Sequence, residues 1–267
     1  SKSSARGAAY VFAIDPNAGP KLLASDGTEG DRMGQSVAIE GDTAVVGAPF
    51  ENNAGPGRGA AYVFVRPNGA WTQQAKLVAP DAASNDNFGV SVAISGDTVV
   101  VGAENGDKGT NTNEGAAYVF TRAGSAWTFR QELTADDGAN SDRFGWSVDV
   151  EGNTLAVGAV SDNLDSDGLP EGTVHVFTRT GSTWSLQQKI NSPNLEGLPR
   201  FGESVSLSGN TLVVGAESDN GNVVDGPARG AAYVYTRAGS TWTLQQRLSA
   251  GNNEFDMFGK SVSVWGD

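Results

Sequence analysis

The sequence predicts an all-β chain of tandem four-stranded repeats, and these repeats predict a β-propeller. Three observations support this fold class. Short motifs recur in register along the 267 residues, each repeat contains four strand-like segments, and no segment keeps the apolar spacing of a helix. The 36 glycines and 2 methionines fit a chain with many turns. A solenoid of stacked hairpins is the alternative, although solenoid repeats are usually shorter.

Four markers define the repeat. The string Gly-Ala-Ala-Tyr-Val-Phe starts at Gly7, Gly59, Gly115 and Gly230, with the variant Gly-Thr-Val-His-Val-Phe at Gly172. Phe-Gly-x-Ser-Val starts at Phe88, Phe144, Phe201 and Phe258, with a degenerate first copy at Met33. Segments in Val-Gly-Ala end at Ala48, Ala103, Ala159 and Ala216, and a polar stretch opens at Trp71, Trp127, Trp184 and Trp242. The repeats therefore cover approximately 34–88, 89–144, 145–201 and 202–258.

The four segments of one repeat differ in polarity, which predicts their places in a blade. Residues 91–94 alternate with period two, and 98–103 are apolar almost throughout, as in a strand buried on both faces. The third segment is 116–122, and the polar fourth segment, 127–133, suits an exposed outer edge. Gly-Asp or Gly-Asn between the first two strands suits a type II′ hairpin, whereas the connection between the second and third strands is long, polar and variable.

The two ends of the chain predict how a ring closes. Residues 1–33 supply a third and a fourth strand, and residues 259–267 supply a first strand. Joined, they make a composite blade without a second strand, in a five-bladed propeller that is one domain of residues 1–267. In that ring the strand at 261–264 pairs with the sheet of the strand at 8–12. The alternative is a fragment of a six- or seven-bladed propeller.

Composition excludes several classes of partner. With 31 acidic against 18 basic side chains the net charge is −13, which repels nucleic acid and anionic membranes. No apolar run is long enough for a transmembrane helix, so we expect no membrane insertion. The chain has no cysteine and therefore no disulfide framework.

The segments Phe-Gly-x-Ser-Val, Gly41 to Pro49 (Gly-Asp-Thr-Ala-Val-Val-Gly-Ala-Pro) and Gly-Ala-Ala-Tyr-Val-Phe resemble FG-GAP repeats. Such repeats form the blades of integrin α subunits and of many microbial surface proteins, and the microbial subgroup with a short Gly-Asp turn is the closer match. The resemblance covers essentially the whole chain and implies a secreted or surface-displayed propeller concerned with adhesion or binding. Integrin-type blades carry calcium between the first and second strands, but here that loop has shrunk to two residues, so those sites do not transfer.

Pairs of aspartates precede the Phe-Gly marker. They are Asp26 and Asp31, Asp81 and Asp86, and Asp137 and Asp142. Our first interpretation is that they bind local backbone amides and fix the turn between blades, because a feature repeated in every blade is usually architectural. The alternative is a Ca²⁺ site, for which Asp137 and Asp142 are the candidates.

A second calcium candidate is the loop that contains Asp162, Asp165 and Asp167, which occurs in one repeat only. Oxygen ligands at alternate positions followed by Gly168 suit a hard cation, although the spacing is not that of an EF-hand. A solvated acidic loop is the alternative. We expect bound calcium to stabilise the fold by mass action.

The remaining candidates point away from catalysis. His175 is the only histidine, it replaces the tyrosine of the third strand, and we interpret it as structural. Trp146 and Trp265 break the repeat and are the better candidates for a special role than the recurring tryptophans, which we assign to packing. No nucleophile elbow or zinc spacing occurs. We expect a non-enzymatic binding or adhesion module with a glycan or protein ligand. The alternatives are a self-associating structural subunit of an extracellular assembly and a polysaccharide-active enzyme.

Overall fold

The computed structural model describes residues 8–10, 21–52, 57–164, 170–195, 198–221, 229–250 and 256–266. Within these ranges all regular structure is β: one two-stranded sheet and four four-stranded sheets, all antiparallel. The predictions of an all-β chain and of four-stranded repeats are confirmed.

The four large sheets are meanders of strands that are consecutive in the chain. The small sheet contains β1 (Ala9–Tyr10) and β2 (Lys21–Leu22). Sheet 1 contains β3 (Val37–Glu40), β4 (Thr43–Ala48), β5 (Ala60–Val65) and β6 (Thr72–Leu77). Sheet 2 contains β7 (Ser91–Ser95), β8 (Thr98–Ala103), β9 (Ala116–Ala123) and β10 (Ala126–Leu133). Sheet 3 contains β11 (Phe144–Glu151), β12 (Thr154–Ala159), β13 (Thr173–Thr180) and β14 (Thr183–Asn191). Sheet 4 contains β15 (Phe201–Ser208), β16 (Thr211–Ala216), β17 (Ala231–Ala238) and β18 (Thr241–Leu248).

Apolar packing joins each sheet to the next. The second strands β4, β8 and β12 are buried along their whole length, and the fourth strand β18 is exposed at nearly every position. First strands of consecutive sheets contact each other, so they form the inner edge of the array. One core cluster, for example, combines Val100 and Val119 of sheet 2 with Val148 and Val150 of sheet 3. The sheets therefore stand side by side like propeller blades, with polar fourth strands outside.

Glycines allow the sheets to approach closely. A Cβ added to Gly102 on β8 would lie 1.9 Å from the carbonyl oxygen of Gly145 in the next sheet. Gly47, Gly158 and Gly215 occupy the same place in the other second strands and meet the same obstacle. The Val-Gly-Ala marker is therefore a packing motif: its glycine leaves room for the backbone of the following sheet.

The described residues do not show the predicted pairing between the chain ends. β1 hydrogen-bonds to β2 alone, and residues 261–264 belong to no strand of the described structure. Instead, residues 259–266 lie against sheet 4, where the Ser204 hydroxyl donates to the Gly259 carbonyl at 2.9 Å. The Ser206 and Ser208 hydroxyls accept the amides of Val264 and Gly266 at 3.1 Å each. These residues thus lie where the first strand of a further blade belongs, and ring closure with five blades stays a prediction.

Candidate binding face

The meander places its connections at two opposite ends of the sheets. We call the end with the tight turns between first and second and between third and fourth strands the turn face. The opposite end, with the connections between second and third strands and between consecutive sheets, is the loop face. Backbone hydrogen bonds support the division, because Arg66 N donates to Asp42 O within the turn face and Phe88 N donates to Arg58 O within the loop face.

One arginine latch repeats on the turn face. Arg122 donates to Asp97 in its own sheet at 2.7 Å and to the Thr43 hydroxyl of the preceding sheet at 3.0 Å, and its guanidinium lies 5.2 Å from the ring centre of Trp127. Arg179 and Arg237 make the same three contacts in the next two sheets. The recurring tryptophans thus have the packing role predicted for them, against these arginines. The repeated contacts on the turn face connect neighbouring sheets and are structural.

The first aspartate of each predicted pair lies in an ion cluster on the loop face. The carboxylate of Asp26 accepts hydrogen bonds from Tyr62 at 2.8 Å and from Lys76 at 2.6 Å, and Lys76 also lies 3.2 Å from Glu51. Burial opposes ionisation of Asp26, but the bonds from Lys76 and Tyr62 outweigh it and lower its pKa. The cluster ties the inter-sheet connection to the third and fourth strands of the following sheet.

The same cluster occurs in sheet 2 with its charges exchanged. In sheet 1 the fourth strand supplies the cation Lys76 and the connecting loop supplies Glu51. In sheet 2 the fourth strand supplies Glu132, and the loop supplies Lys108, which binds both Glu132 and Asp81. Glu132 replaces Lys76 at the same strand position, whereas Lys108 lies two residues after Gly106, the equivalent of Glu51. The two clusters thus share charge compensation and not a fixed pair of positions.

Sheet 3 carries the predicted residues Asp137 and Asp162. Lys189 lies between them, 2.7 Å from Asp137 and 2.8 Å from Asp162, and Asp162 also accepts the Thr173 hydroxyl at 2.8 Å. The hydrogen bond from Lys189 lowers the pKa of Asp137. The two aspartates are therefore brought together, with an ammonium group between them.

His175 takes the place of the cluster tyrosine in sheet 3. Its Nε2 lies 3.9 Å from Asp137, and neither ring nitrogen has a hydrogen-bond partner among the described residues. Burial lowers its pKa to about 4, so the ring is neutral at pH 7. The ring packs edge-on against Phe144 at 5.2 Å, in agreement with the structural role predicted for it.

The second aspartate of each pair caps a turn. The carboxylates of Asp31, Asp86 and Asp142 accept the amides of Thr28, Ala83 and Ala139, each three residues earlier, at 2.5, 2.6 and 2.6 Å. Burial raises the pKa of Asp142 to about 6. These contacts are the local backbone bonds of our first interpretation and give each residue a role that requires no metal.

Asp165 and Asp167 lie outside the described residues. Within the described ranges, no three His, Cys, Asp or Glu side chains form a group that could hold a metal ion. Nor does this part of the chain contain a helix long and apolar enough to cross a membrane.

A cluster around Trp146 distinguishes the loop face of sheets 2 to 4. The guanidinium groups of Arg143 and Arg200 lie 5.6 and 5.1 Å from the Trp146 ring centre. Glu104 is buried beside them, 4.0 Å from Arg143, and its Oε2 has no hydrogen-bond partner among the described residues. Burial raises the pKa of Glu104. Arg200 also pairs with Glu203 at 2.8 Å, and the other oxygen of Glu104 accepts a hydrogen bond from Asn87 at 3.1 Å. The Trp146 ring and the partly exposed guanidinium groups together offer stacking and polar contacts to a ligand.

The backbone at these two arginines belongs to the repeat. Arg143 and Arg200 have φ angles of +58° and +55°, a region that favours glycine and asparagine. The residue before the Phe-Gly marker has the same conformation in the other repeats, where Arg32, Asn87 and Met257 have φ angles of +52°, +58° and +51°. The conformation is therefore architectural and does not by itself indicate a binding site. Sequence analysis singled out Trp146 because it breaks the repeat, but missed the arginines.

The fold and the repeated motifs define the class: a repeat protein built from propeller-type four-stranded sheets. The chain belongs to the FG-GAP repeat family, which matches residues 19–64, 71–120, 127–177 and 184–235. No curated protein matches the chain. Among solved structures it is similar to TolB from Acinetobacter baumannii, with 13% identity and a TM-score of 0.49. That match covers 92% of this chain and 49% of the TolB chain, so the chain spans about half the length of its match.

Proposed function

We propose that the chain is a non-enzymatic binding module, secreted or displayed at a cell surface, that binds a protein or glycan ligand on its loop face. The observation that carries the proposal is the Trp146 cluster, in which the guanidinium groups of Arg143 and Arg200 lie against a half-buried tryptophan beside the buried carboxylate of Glu104. Membership of the FG-GAP family supports it, since such repeats are typical of extracellular proteins. The physiological role that we propose for this binding module is adhesion.

The test is a screen of labelled wild-type chain on glycan and protein arrays, together with broad hydrolase and lyase assays. The proposal expects saturable binding without turnover. Robust turnover without binding would favour the polysaccharide-active enzyme instead.

Calcium is part of the proposal, first at the loop of Asp162, Asp165 and Asp167 and second at the turn of Asp137 and Asp142. The charge of −13 supports it, because unneutralised carboxylates repel each other in the compact state. Ca²⁺ at a hundredfold excess over its dissociation constant would raise the free energy of unfolding by about 2.7 kcal/mol. The measurement is thermal unfolding with millimolar Ca²⁺ against chelator, repeated for Asp165→Ala and Asp167→Ala. An equal rise with Mg²⁺ or NaCl would indicate charge screening and no site.

A second candidate function is a structural subunit of an extracellular assembly that self-associates. Among the described residues β1 pairs with a strand on one side only, and this favours the assembly because unpaired strand edges recruit further strands. Light scattering after size exclusion separates the two functions: the assembly requires oligomers, and a strict monomer at high concentration contradicts it.

A further inference from the structure

The chain contains three Asn-Gly pairs, which are Asn68-Gly69, Asn105-Gly106 and Asn220-Gly221. This dipeptide can react with itself, because the backbone nitrogen of the glycine can attack the side-chain amide carbon of the asparagine, and glycine adds no side chain to hinder it. The attack requires that the asparagine side chain can rotate toward the backbone and that the glycine amide is not held by a hydrogen bond. The three pairs can therefore be ranked by their exposure and by the partners of their glycine amides.

The pair Asn105-Gly106 is held in the turn that follows β8. Gly106 is buried, and its amide donates to the Ala103 carbonyl at 3.1 Å. Its own carbonyl accepts the Gly115 amide at 2.9 Å, and the backbone amide of Asn105 donates to the Asp86 carbonyl at 3.3 Å. Attack by the Gly106 nitrogen would break these hydrogen bonds in a buried place, where it is costly to leave such groups unpaired.

The pair Asn220-Gly221 is held by side chains. Asn220 is 9% exposed, and its side-chain oxygen accepts a hydrogen bond from the side-chain amide of Asn194 at 3.0 Å. The Gly221 amide donates to the carboxylate of Asp219 at 2.6 Å. Both reacting groups of this pair are therefore already bound, and the side chain of Asn220 cannot turn toward the Gly221 nitrogen without breaking its contact with Asn194.

The pair Asn68-Gly69 lies in the turn between β5 and β6, on the turn face. Both residues are exposed, and a Cβ added to Gly69 would meet nothing within 4 Å. Among the described residues, neither the Asn68 side chain nor the Gly69 amide has a hydrogen-bond partner. Of the three pairs, this is the one in which the two reacting groups can meet without breaking a contact.

Pro67 accounts for the open turn. In sheets 2, 3 and 4 the corresponding residue is alanine or threonine and the third strand continues through it, as at Ala123, which pairs with Ala126. Proline has no backbone N–H for such a pair. β5 therefore has 6 residues where β9 has 8, and its pairing with β6 ends at Val65 and Thr72. The reactive pair is thus left outside the ladder by a departure from the repeat.

We propose that Asn68-Gly69 is a self-modification site that converts to aspartate and isoaspartate, with water as the only other reactant. The backbone nitrogen of Gly69 loses its proton and attacks Cγ of Asn68. A C–N bond forms, and the side-chain nitrogen takes up a proton and leaves as ammonia. Water then opens the succinimide ring at either of its carbonyls, and no oxidant or reductant is involved. The site is on the turn face, so the proposal does not depend on ligand binding at the Trp146 cluster.

The conversion leaves the sheet intact. Aspartate adds one negative charge to the exposed turn, and isoaspartate also adds a methylene group to the backbone. Because the ladder between β5 and β6 ends before this turn, we expect the converted chain to melt as the unconverted chain does. Ion-exchange chromatography separates the two forms by charge, so that each form can be melted by itself.

The experiment incubates the folded 267-residue chain at mildly alkaline pH, where the backbone nitrogen loses its proton more readily, and follows the three pairs by tryptic peptide mass mapping. Trypsin separates the pairs into peptides 59–76, 77–108 and 201–229, because the bond between Arg66 and Pro67 resists cleavage. We expect Asn68 to convert at least tenfold faster than Asn105 and Asn220, and an isoaspartyl methyltransferase should label peptide 59–76. Equal rates at the three pairs overturn the proposal.

The same chain denatured in guanidinium chloride is the matched control. Unfolding removes the hydrogen bonds of Gly106 and Gly221, so all three pairs should then convert at similar rates. The rate of Asn68 in the folded chain should stay within tenfold of its rate in the denatured chain. A larger drop on folding would show that the turn protects the pair, and it would refute the proposal.

Asn68→Gln locates the reaction, because its longer side chain disfavours the five-membered ring. Peptide 59–76 of this variant should stay unconverted, and conversion at the wild-type rate would place the reaction elsewhere in the peptide and contradict the proposal. Mass mapping requires no ligand, whereas the array screen does not depend on the state of Asn68. The two proposals can therefore fail separately.

Discussion

The turn face and the loop face are made by the same repeats, yet they differ in what they keep constant. On the turn face Arg122, Arg179 and Arg237 repeat one set of contacts to a carboxylate or amide, a threonine and a tryptophan. On the loop face the ion-pair partners vary: Lys76 of the fourth strand pairs with Glu51 in sheet 1, whereas Glu132 at the same strand position pairs with Lys108 from a different loop position in sheet 2. The difference teaches that repeated contacts hold the sheets together, and we propose that departures from the repeat serve binding.

The largest expected effect is on the free energy of unfolding when a marker glycine is replaced, and it tests whether the repeated residues stabilise the fold. Gly102→Ala places a Cβ 1.9 Å from the Gly145 carbonyl, and neither backbone can move without disturbing both sheets. We expect the free energy of unfolding to fall by about 3 kcal/mol or more, measured by urea denaturation. Gly106→Ala is the control, because its added Cβ meets nothing closer than 3.4 Å and should cost far less. Similar losses in both variants would contradict the packing role of the marker glycine.

A second prediction concerns the loop-face ion cluster of sheet 3. Lys189→Met leaves Asp162 buried without its ammonium partner, and we expect a loss of about 2 kcal/mol, below that of a fully buried pair because Lys189 is partly exposed. In the double variant with Asp162→Asn, part of that loss should return. The check is a double-mutant cycle by chemical denaturation. Additive losses would show that the two charges do not compensate each other.

Sequence analysis predicted the sheets well and the chemistry of the loop face only in part. Period-two alternation, Val-Gly-Ala and the Gly-Asp turns are local signals, so strand order and the buried second strand followed directly. Lys108 could not be placed, because it lies in a variable loop and reaches Glu132, 24 residues later, only through folding. The contacts of Arg143 and Arg200 with Trp146 could not be predicted either, because Arg200 and Trp146 are distant in the sequence and meet only through folding. Trp146 itself was found because it interrupts a repeat.

A third prediction uses pH. The pKa of Asp142 is about 6 in the folded chain, above the ordinary 3.8, because burial disfavours its charged form. The folded state therefore binds this proton more tightly, and its contribution to stability is lost as the pH rises from about 4 to about 6. Asp142→Asn keeps an acceptor for the Ala139 amide without the charge. At pH 7 it should be more stable than the wild type by on the order of 1 kcal/mol, and at pH 4 the difference should vanish.

Denaturation curves of the wild type and Asp142→Asn at pH 4, 5, 6 and 7 measure the effect. Repeating them with added Ca²⁺ tests whether calcium binds at Asp142. If calcium binds at Asp142, the carboxylate becomes the favoured form and the advantage of Asp142→Asn reverses. A wild type that gains stability steadily from pH 4 to 7 relative to the variant, without calcium, would contradict the role of burial.

The smallest stability effect is expected on the turn face. Arg122→Gln removes the pairing with exposed Asp97, the hydrogen bond to buried Thr43 and the stacking on Trp127. Because the arginine is itself partly exposed, a loss of about 1 kcal/mol is expected. Thermal unfolding measures it, with the exposed Arg130→Gln on the outer strand as the control. Equal melting temperatures for the two variants would show that the repeated latch does not hold the sheets together.

The division between the two faces is tested most directly by measuring affinity and melting temperature on the same variants. With a ligand found on the arrays, Trp146→Ala should lower affinity at least tenfold and shift the melting temperature by no more than a few degrees. Arg122→Gln should lower the melting temperature and leave the affinity of the folded chain unchanged. If Arg122→Gln abolishes binding to the folded chain while Trp146→Ala retains it, the turn face binds the ligand and the account is wrong.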